Sequence, residues 1–454
     1  MNTSLYIFTR DLRIEDNKAL NAAIVNSDKV LPLFVFTEEQ IDKTENKYFS
    51  NHAFAFMLQS LDDLQKKIRD KNGELFFFRG AHEKAIRQAH DEHNIQNVYF
   101  SYDVTPYAKK RAADIEKICN ELEIECKQIH NHFLTNPGSV LTNDDSHYRV
   151  FTPFKRKAQE QNIDELESAS IGEDVIYKTS TFDSNLDNLV DISQIESEFK
   201  GGRTAGLEQL KYIKTLANYE RERNFVSQEG TSRLSPHVKF GTISSREFYW
   251  AVEKEFGKEH ILISELYWRD FYAHIADAFP HIFGSAFNKK YDHVEWDWNE
   301  EHFDAWCEGK TGYPIVDAAM RQLNTTGWMH NRARMIVASF LTKHLRIDWR
   351  HGERYFAQKL VDYDPATNNG SWQWAASTGA DSQPYFRIFN PWLQQEKFDP
   401  DAQYIKKYVS ELEHLSAKEI HAYENRDEPV TNYVLPIVNH KEARAAALEM
   451  FKNI

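Results

Sequence analysis

The stretch Glu265-Leu266-Tyr267-Trp268-Arg269-Asp270-Phe271-Tyr272 sets a carboxyl among aromatic rings, with Glu265, Trp268 and Tyr272 on one face at helical spacing. A carboxyl against an aromatic wall keeps its proton more readily and can donate a hydrogen bond. A purely structural amphipathic helix would carry the same pattern. Asn331 and Met335 are four residues apart, with Arg332 and Arg334 on flanking faces and Trp328 just before them. An amide, a thioether and two guanidiniums suit a pocket that is polar on one side and apolar on the other. Asp362-Tyr363-Asp364 can ion-pair with one of these arginines and accept hydrogen bonds from a ribose or an adenine amine, although a structural salt bridge uses the same groups. Glu229-Gly230-Thr231-Ser232-Arg233-Leu234-Ser235-Pro236 joins a glycine turn, three hydroxyls and an arginine ahead of a helical stretch. That combination suits a phosphate or pyrophosphate, and equally an ordinary helix cap. All ten tryptophans lie between Trp250 and Trp392. Each has a π-face and one N–H donor, so the cluster can fill a core, stack on a planar ligand or relay an electron.

Other chemistries lack their signatures. No Gly-x-Gly-x-x-Gly follows the first apolar run, there is no Walker A sequence, and no His/Cys/carboxylate set has metal-ligand spacing, so no metal is expected. Cys119, Cys126 and Cys307 form neither a metal spacing nor an even disulfide set, which points to a reducing cytoplasm. The net charge of −14 argues against indiscriminate nucleic-acid binding. Between 321 and 350, however, six basic residues (Arg321, Arg332, Arg334, Lys343, Arg346, Arg350) face one acid, Asp348, a local balance that fits a phosphate ligand or a solvated helix face. No window nears the ~18 apolar residues of a membrane span, and residues 1–13 lack a signal-peptide layout.

The elements that must position these groups fall into two styles. Apolar runs at Leu5–Phe8, Val30–Phe36, Leu75–Phe78, Val98–Phe100 and Ile124–Ile129 alternate with helical patterns such as Phe54, Met57, Leu61, Leu64 and Ile68. Repeated βα units predict a doubly wound parallel sheet over 1–130, with Arg10-Asp11-Leu12-Arg13 lining the carboxyl end of the first strand. Residues 131–200 hold eleven acidic side chains between Glu160 and Glu198 and read as an acidic, partly irregular connector. From 201 to 454 the periodicity is helical throughout. The expected fold is therefore α/β plus all-α, in three stretches: 1–130, 131–200 and 201–454.

Several segments together resemble one family. GKTGYPIVDAAMRQLNTTGWMHNRARM (309–335), DWRHGERYF (348–356) and NNGSWQWAASTGADSQPYFRIFNP (368–391) resemble the flavin domain of photolyases and cryptochromes. EGTSRLS (229–235), ELYWRDFY (265–272), IFTRDLRIEDNKAL (7–20) and FTPFKRK (151–157) match it upstream, in collinear order. Within that family the chain is most similar to class I cyclobutane pyrimidine dimer (CPD) photolyases.

The resemblance implies a helical domain that binds FAD and acts on ultraviolet-damaged DNA under blue light, as a monomeric cytoplasmic DNA-repair lyase without a membrane partner. It assigns Tyr219, Thr231, Ser232, Arg233, Leu234 and Ser235 to the cofactor phosphates. Asp362, Tyr363 and Asp364 would lie beside the cofactor, Arg334 would pair with Asp362, and Asn368 would face flavin N5. Asparagine there resembles repair enzymes, whereas plant photoreceptors carry aspartate and animal ones cysteine. Glu265, Trp268, Asn331, Met335 and Trp374 are implied for the lesion, and Arg223, Arg269, Arg332 and Arg387 for DNA. Trp296, Trp349 and Trp372 match electron-relay positions, distal to proximal; Trp250, Trp298, Trp306 and Trp328 are left to packing and Trp392 to no role. The Trp328–Arg332 segment lacks the His-His pair of (6-4) photolyases, which with a cryptochrome-like FAD photoreceptor is the alternative. An antenna chromophore is expected in the first domain. Tyr102-Asp103-Val104-Thr105-Pro106-Tyr107-Ala108 lacks the glutamate of folate-type relatives, so a folate, a deazaflavin, another flavin or an empty cleft remain open.

Overall fold

The computed structural model describes residues 1–172, 174–190, 198–452 and 454. Its contacts divide the chain into two compact units, Met1–Thr215 with Ser232–Ala278, and Leu216–Thr231 with Phe279–Ile454. The first is built on strands β1 (Thr3–Phe8), β2 (Lys29–Phe36), β3 (Phe76–Arg79), β4 (Asn97–Ser101) and β5 (Glu125–Ile129). All pair in parallel in the order β3-β2-β1-β4-β5, with Thr3 opposite Lys29 and Ser4 opposite Asn97. The crossovers are helices, among them α1 (Lys18–Val25), α2 (Asn51–Arg69), α3 (His82–His93) and α4 (Pro106–Glu121). Helix α4 begins where the sequence requires it: Thr105 caps the Ala108 N–H and Pro106 occupies the first turn, where its missing donor is harmless. Leu5, Ile7, Leu31, Leu33, Val98 and Phe100 fill the core beneath these helices.

The rest of this unit adds helices, among them α5 (Phe151–Ala158), α6 (Ser245–Phe256) and α7 (Ile261–Ala278), with irregular stretches across 130–150 and 159–172. That grouping runs differently from the expected stretches 1–130, 131–200 and 201–454. The reason is buried charge. Arg13 donates to the Gly241 carbonyl at 2.9 Å, Arg246 meets Asp16 at 3.0 Å, and Arg203 pairs with Glu247 at 2.7 Å. Buried guanidiniums need partners, so segments distant in sequence are tied into one body. The 131–200 stretch includes α5 and bridges β2 and β3 through Ile176 and Asp183; its residues 173 and 191–197 lie outside the described residues.

The second unit is all-helical, as its periodicity predicts. It contains α8 (Glu300–Glu308), α9 (Pro314–Thr326), α10 (Asn331–Ser339), α11 (Trp349–Lys359), α12 (Pro365–Ala376) and a final α13 (His440–Lys452). Its core holds Trp306, Met320, Met329, Phe340, Trp349 and Trp372. The GKTGYP segment is an anchor here. Asp317, fully buried, accepts from the Thr311 N–H and hydroxyl (both 2.7 Å), the Gly312 N–H (2.9 Å) and the Tyr433 hydroxyl (2.6 Å). Gly312 has φ +76, and a Cβ there would run into the Leu435 backbone, so this position requires glycine. Among the described residues, no helix is long and apolar enough to cross a membrane.

Candidate functional site

In the first unit, α7 carries the carboxyl–aromatic motif. Its apolar residues recur around most of the helix, and Leu266, Tyr267, Asp270, Phe271 and Tyr272 are buried. Glu265 and Trp268 are half-buried. Phe151 lies flat on Trp268, 3.7 Å between centroids at 9°, and Tyr272 lies 5.6 Å away. One indole face is therefore already covered, and the ring is fixed as a platform. Phe151 belongs to the FTPFKRK segment, so a sequence signal for this support existed but named no role.

Arg269, also half-buried, is held from inside the unit. Its guanidinium donates to the His132 carbonyl at 2.6 Å and the Ser245 hydroxyl at 3.1 Å, and lies over Phe133 at 4.6 Å. It braces the unit internally. Its neighbour Asp270 accepts from the Thr135 N–H (2.7 Å) and hydroxyl (2.9 Å); burial nonetheless pushes its carboxyl up to about 6.

The turn before Ser235 has the features of an anion cradle. Arg233 is left-handed at φ +50, Ser232 Oγ accepts from the Leu234 N–H at 3.4 Å, and the Ser232 carbonyl accepts from Gln209 at 2.8 Å. Leu234 is fully buried, Ser232 and Arg233 are half-buried and Ser235 is exposed. Thr231, half-buried, is the last residue of its segment in the second unit.

Within the second unit, Tyr219 is buried under the Arg223 guanidinium, 5.6 Å from the ring. Arg332 donates to Asn224 Oδ1 at 2.5 Å and stacks over Phe398 at 4.3 Å. Burial, and next the charge of Arg223, lower its pKa. A guanidinium whose charge is disfavoured by burial and by a second guanidinium is well placed for a phosphate. Arg387 is exposed and reaches Gln383 at 3.2 Å.

Asn331 opens α10, its amide 4.0 Å from the Met335 sulfur. Trp374 is half-buried on α12. Arg334 donates to Asp362 at 2.8 and 3.1 Å and to the Met329 carbonyl at 2.7 Å, which is the expected pairing. Asp364 caps α12 through the Thr367 N–H at 3.0 Å, next to half-buried Tyr363.

Asn368 is buried, and its NH₂ donates to the carbonyl (3.1 Å) and to Oε1 (3.0 Å) of Glu353. With both hydrogens spent, the amide oxygen remains to accept, which suits a ring nitrogen that carries hydrogen. Burial pushes the Glu353 carboxyl up to about 7. No role was read for Glu353 in the sequence, although DWRHGERYF contains it; only the i to i+15 contact reveals one. These donors and acceptors fit a flavin dinucleotide.

The expected relay residues occupy separate settings. Trp372 is buried, 4.9 Å from Phe356 and 6.1 Å from Trp306. A Cβ at Gly352 would collide with the Trp372 ring, so α11 and α12 touch only because that residue is glycine. Trp349 is buried beneath Arg350 at 4.9 Å, and Trp296 is half-buried, 5.9 Å from Phe451. Trp392, without a sequence-derived role, packs 4.7 Å from Tyr313 in the core.

A separate cleft of about 410 Å³ opens at the carboxyl ends of β2 and β3, lined by Thr37, His82, Tyr107, Lys110, Arg111 and Lys117 among others. Arg111 Nε is buried without a protein partner, and burial, with Arg111 next in effect, pushes His82 down to about 3. The buried guanidinium beside a neutral imidazole suits an anionic group at that one point, while Glu38, Glu39, Glu83, Asp114 and Glu121 make the rest of the lining acidic.

Comparisons with known proteins agree along the whole chain. Residues 4–170 match a model described as DNA photolyase, and residues 262–453 one described as the FAD binding domain of DNA photolyase. The deoxyribodipyrimidine photo-lyase of Escherichia coli is 36% identical over 100% of this chain and 99% of its own, and that of Vibrio cholerae 38% over 98% of each. An archaeal photolyase from Sulfolobus tokodaii, solved with two FAD molecules and described as implying a novel light-harvesting cofactor, is 42% identical over all of both chains, with a TM-score of 0.90. A cryptochrome from Synechocystis reaches the same TM-score at 28% identity, covering 99% of each chain.

Proposed function

We infer function from one premise: the chain belongs to the DNA photolyase family. It is a light-dependent carbon–carbon lyase that repairs cyclobutane pyrimidine dimers in DNA, with FAD as cofactor. The observation that carries this is the likeness to curated photo-lyases over essentially their entire length. Neither a photoreceptor nor a (6-4) enzyme is favoured: Asn368 is the residue of repair enzymes, and Trp328–Arg332 lacks the His-His pair.

When bound, FAD would supply light-driven one-electron chemistry for splitting the dimer, so no protein nucleophile is needed. The residues of this chain bind and orient. Tyr219, Thr231, Ser232, Arg233, Leu234 and Ser235 hold the cofactor's phosphates, and Asp362 and Asp364, flanking Tyr363, lie along it. Arg334, fixed by Asp362, keeps a positive charge near the flavin ring. Asn368 offers its carbonyl oxygen, which favours the reduced, N–H-bearing ring. Trp268 and Trp374 give the flipped dinucleotide aromatic surface, worth ~1–3 kcal/mol per base. Flipping costs a few kcal/mol, less for a poorly stacked dimer, which favours the lesion over intact bases. Asn331 and Met335 shape the pocket, and a hydrogen bond from Glu265 stabilises charge on a pyrimidine carbonyl. Arg223, Arg332 and Arg387 contact DNA phosphates. Trp296, Trp349 and Trp372 return oxidised cofactor to its reduced state. We place the protein in the cytoplasm as a monomer, in keeping with its three free thiols.

The cleft at Arg111 is our candidate for an antenna chromophore. The two FAD molecules of the Sulfolobus relative support a second flavin there over a folate, and Arg111 and Lys117 would meet its phosphates.

The test is to irradiate reduced, flavin-loaded protein with ultraviolet-damaged oligothymidine and follow recovery of thymine absorbance. Recovery under blue light is expected, and none would overturn the assignment. Glu265→Ala should lower repair yield more than it lowers DNA affinity; the reverse order would contradict its role.

A further inference from the structure

Trp306 and Trp298 lie along one line of aromatic rings that starts at Trp372. Trp306 is fully buried, with its ring 6.1 Å from Trp372 at 72°. From Trp306 the rings continue outward: Phe303 is stacked 6.0 Å away at 20°, and Trp298 lies 5.4 Å from Phe303. Trp298 is 55% exposed and rests against His351 at 4.5 Å. An unbroken aromatic file thus runs from Trp372 to solvent, and it includes neither Trp349 nor Trp296. Trp298 thus touches both the file and solvent, so the far end of the file is open to a reductant in solution.

We propose that Trp306 and Trp298 form a second electron-entry branch, by which an external reductant at the surface refills Trp372 through Trp306, Phe303 and Trp298. The branch rests on the reading above in which Trp372 reduces oxidised flavin. Trp372, having lost an electron, takes one from Trp306. The Trp306 N–H is tied to the Val337 carbonyl at 3.1 Å and is closed to water, so its proton stays and the electron deficit moves on. Trp298 then gives one electron across Phe303, whose benzene ring is too hard to oxidise to act as more than a bridge. The Nε1 proton of Trp298 passes to water, which traps the radical at the surface. A small thiol donates one electron and one proton to that radical, and two oxidised thiols join as a disulfide. Exposure at one end and a closed N–H at the other give the branch its direction.

The test uses the flavin-loaded chain with oxidised flavin under blue light and a small thiol. Photoreduction is compared for the unaltered chain, Trp296→Phe, Trp298→Phe and the double variant. The double variant should photoreduce several-fold more slowly than Trp296→Phe. A second readout does not depend on turnover: after illumination in dissolved oxygen without thiol, peptide mass spectrometry should find oxygen added at Trp298. That mark should vanish in Trp306→Phe, or weaken in Phe303→Ala should the buried variant fail to fold. A double variant as fast as Trp296→Phe overturns the branch, and so does Trp298 oxidation indifferent to Trp306 and Phe303. Normal photoreduction in Trp372→Phe would instead remove the underlying assignment, and the branch with it.

Discussion

Two buried carboxyls, one in each unit, are treated in opposite ways. In the first, Asp16 is 2% exposed and compensated: Arg246 reaches it at 3.0 Å and the Ser244 hydroxyl at 2.5 Å. In the second, Glu353 is 9% exposed but has only the Asn368 amide close by, at 3.0 Å, and burial raises its carboxyl to about 7. A cation offsets the desolvation of the first; the amide offsets only part of the second. Full compensation marks a brace between segments. At Glu353 the partial compensation goes with its hold on Asn368, and shifted groups of this kind gather at functional sites.

The sharpest way to break this comparison is to remove the brace. Asp16→Ala leaves Arg246 buried without its partner and should cost about 3–5 kcal/mol in urea unfolding. A loss near zero would show that the network in the first unit is ornamental. Next in size is the close packing that replaces charge in the second unit: Gly352→Ala pushes a methyl into Trp372 and should destabilise by about 1–3 kcal/mol, with slower flavin photoreduction as the paired readout. Glu353→Gln tests the uncompensated acid itself while keeping an oxygen for Asn368. Because the folded pKa is raised, the protonated form favours folding, so this contribution is full below about 4.5 and is lost as pH rises through about 7. The unaltered chain should lose stability across that window relative to Glu353→Gln; parallel profiles would refute the assignment. The smallest expected effect is Phe151→Leu, which takes the stacked ring from Trp268 and should cost about 0.5–1.5 kcal/mol, with weaker retention of damaged oligothymidine.

Much of this was legible in the chain. Runs such as Val30–Phe36 become strands because an apolar run of that length, flanked by helical patterns, has few other ways to be buried on both faces. The Arg334–Asp362 pair was expected and is present. Other features were not readable one segment at a time. Arg269 sits in a motif with Glu265 and Trp268, yet its guanidinium turns to His132, because helical spacing says which face a residue occupies but not which carbonyl awaits it. Phe151 and Glu353 lay inside recognisable segments, but their partners are far away in sequence.

By itself the sequence determined the parallel sheet and the helical remainder, since periodicity is a local property that survives without knowledge of partners; the family and the cofactor class came from its resemblance to photolyases. Tertiary structure alone decided which buried charges became braces, which amide hydrogens were spent on Glu353, and which tryptophans touch. Those outcomes depend on distances across the chain: a hydrogen bond or ring contact works over only a few ångströms, and residues such as Trp306 and Trp372 come that close only once their helices have packed.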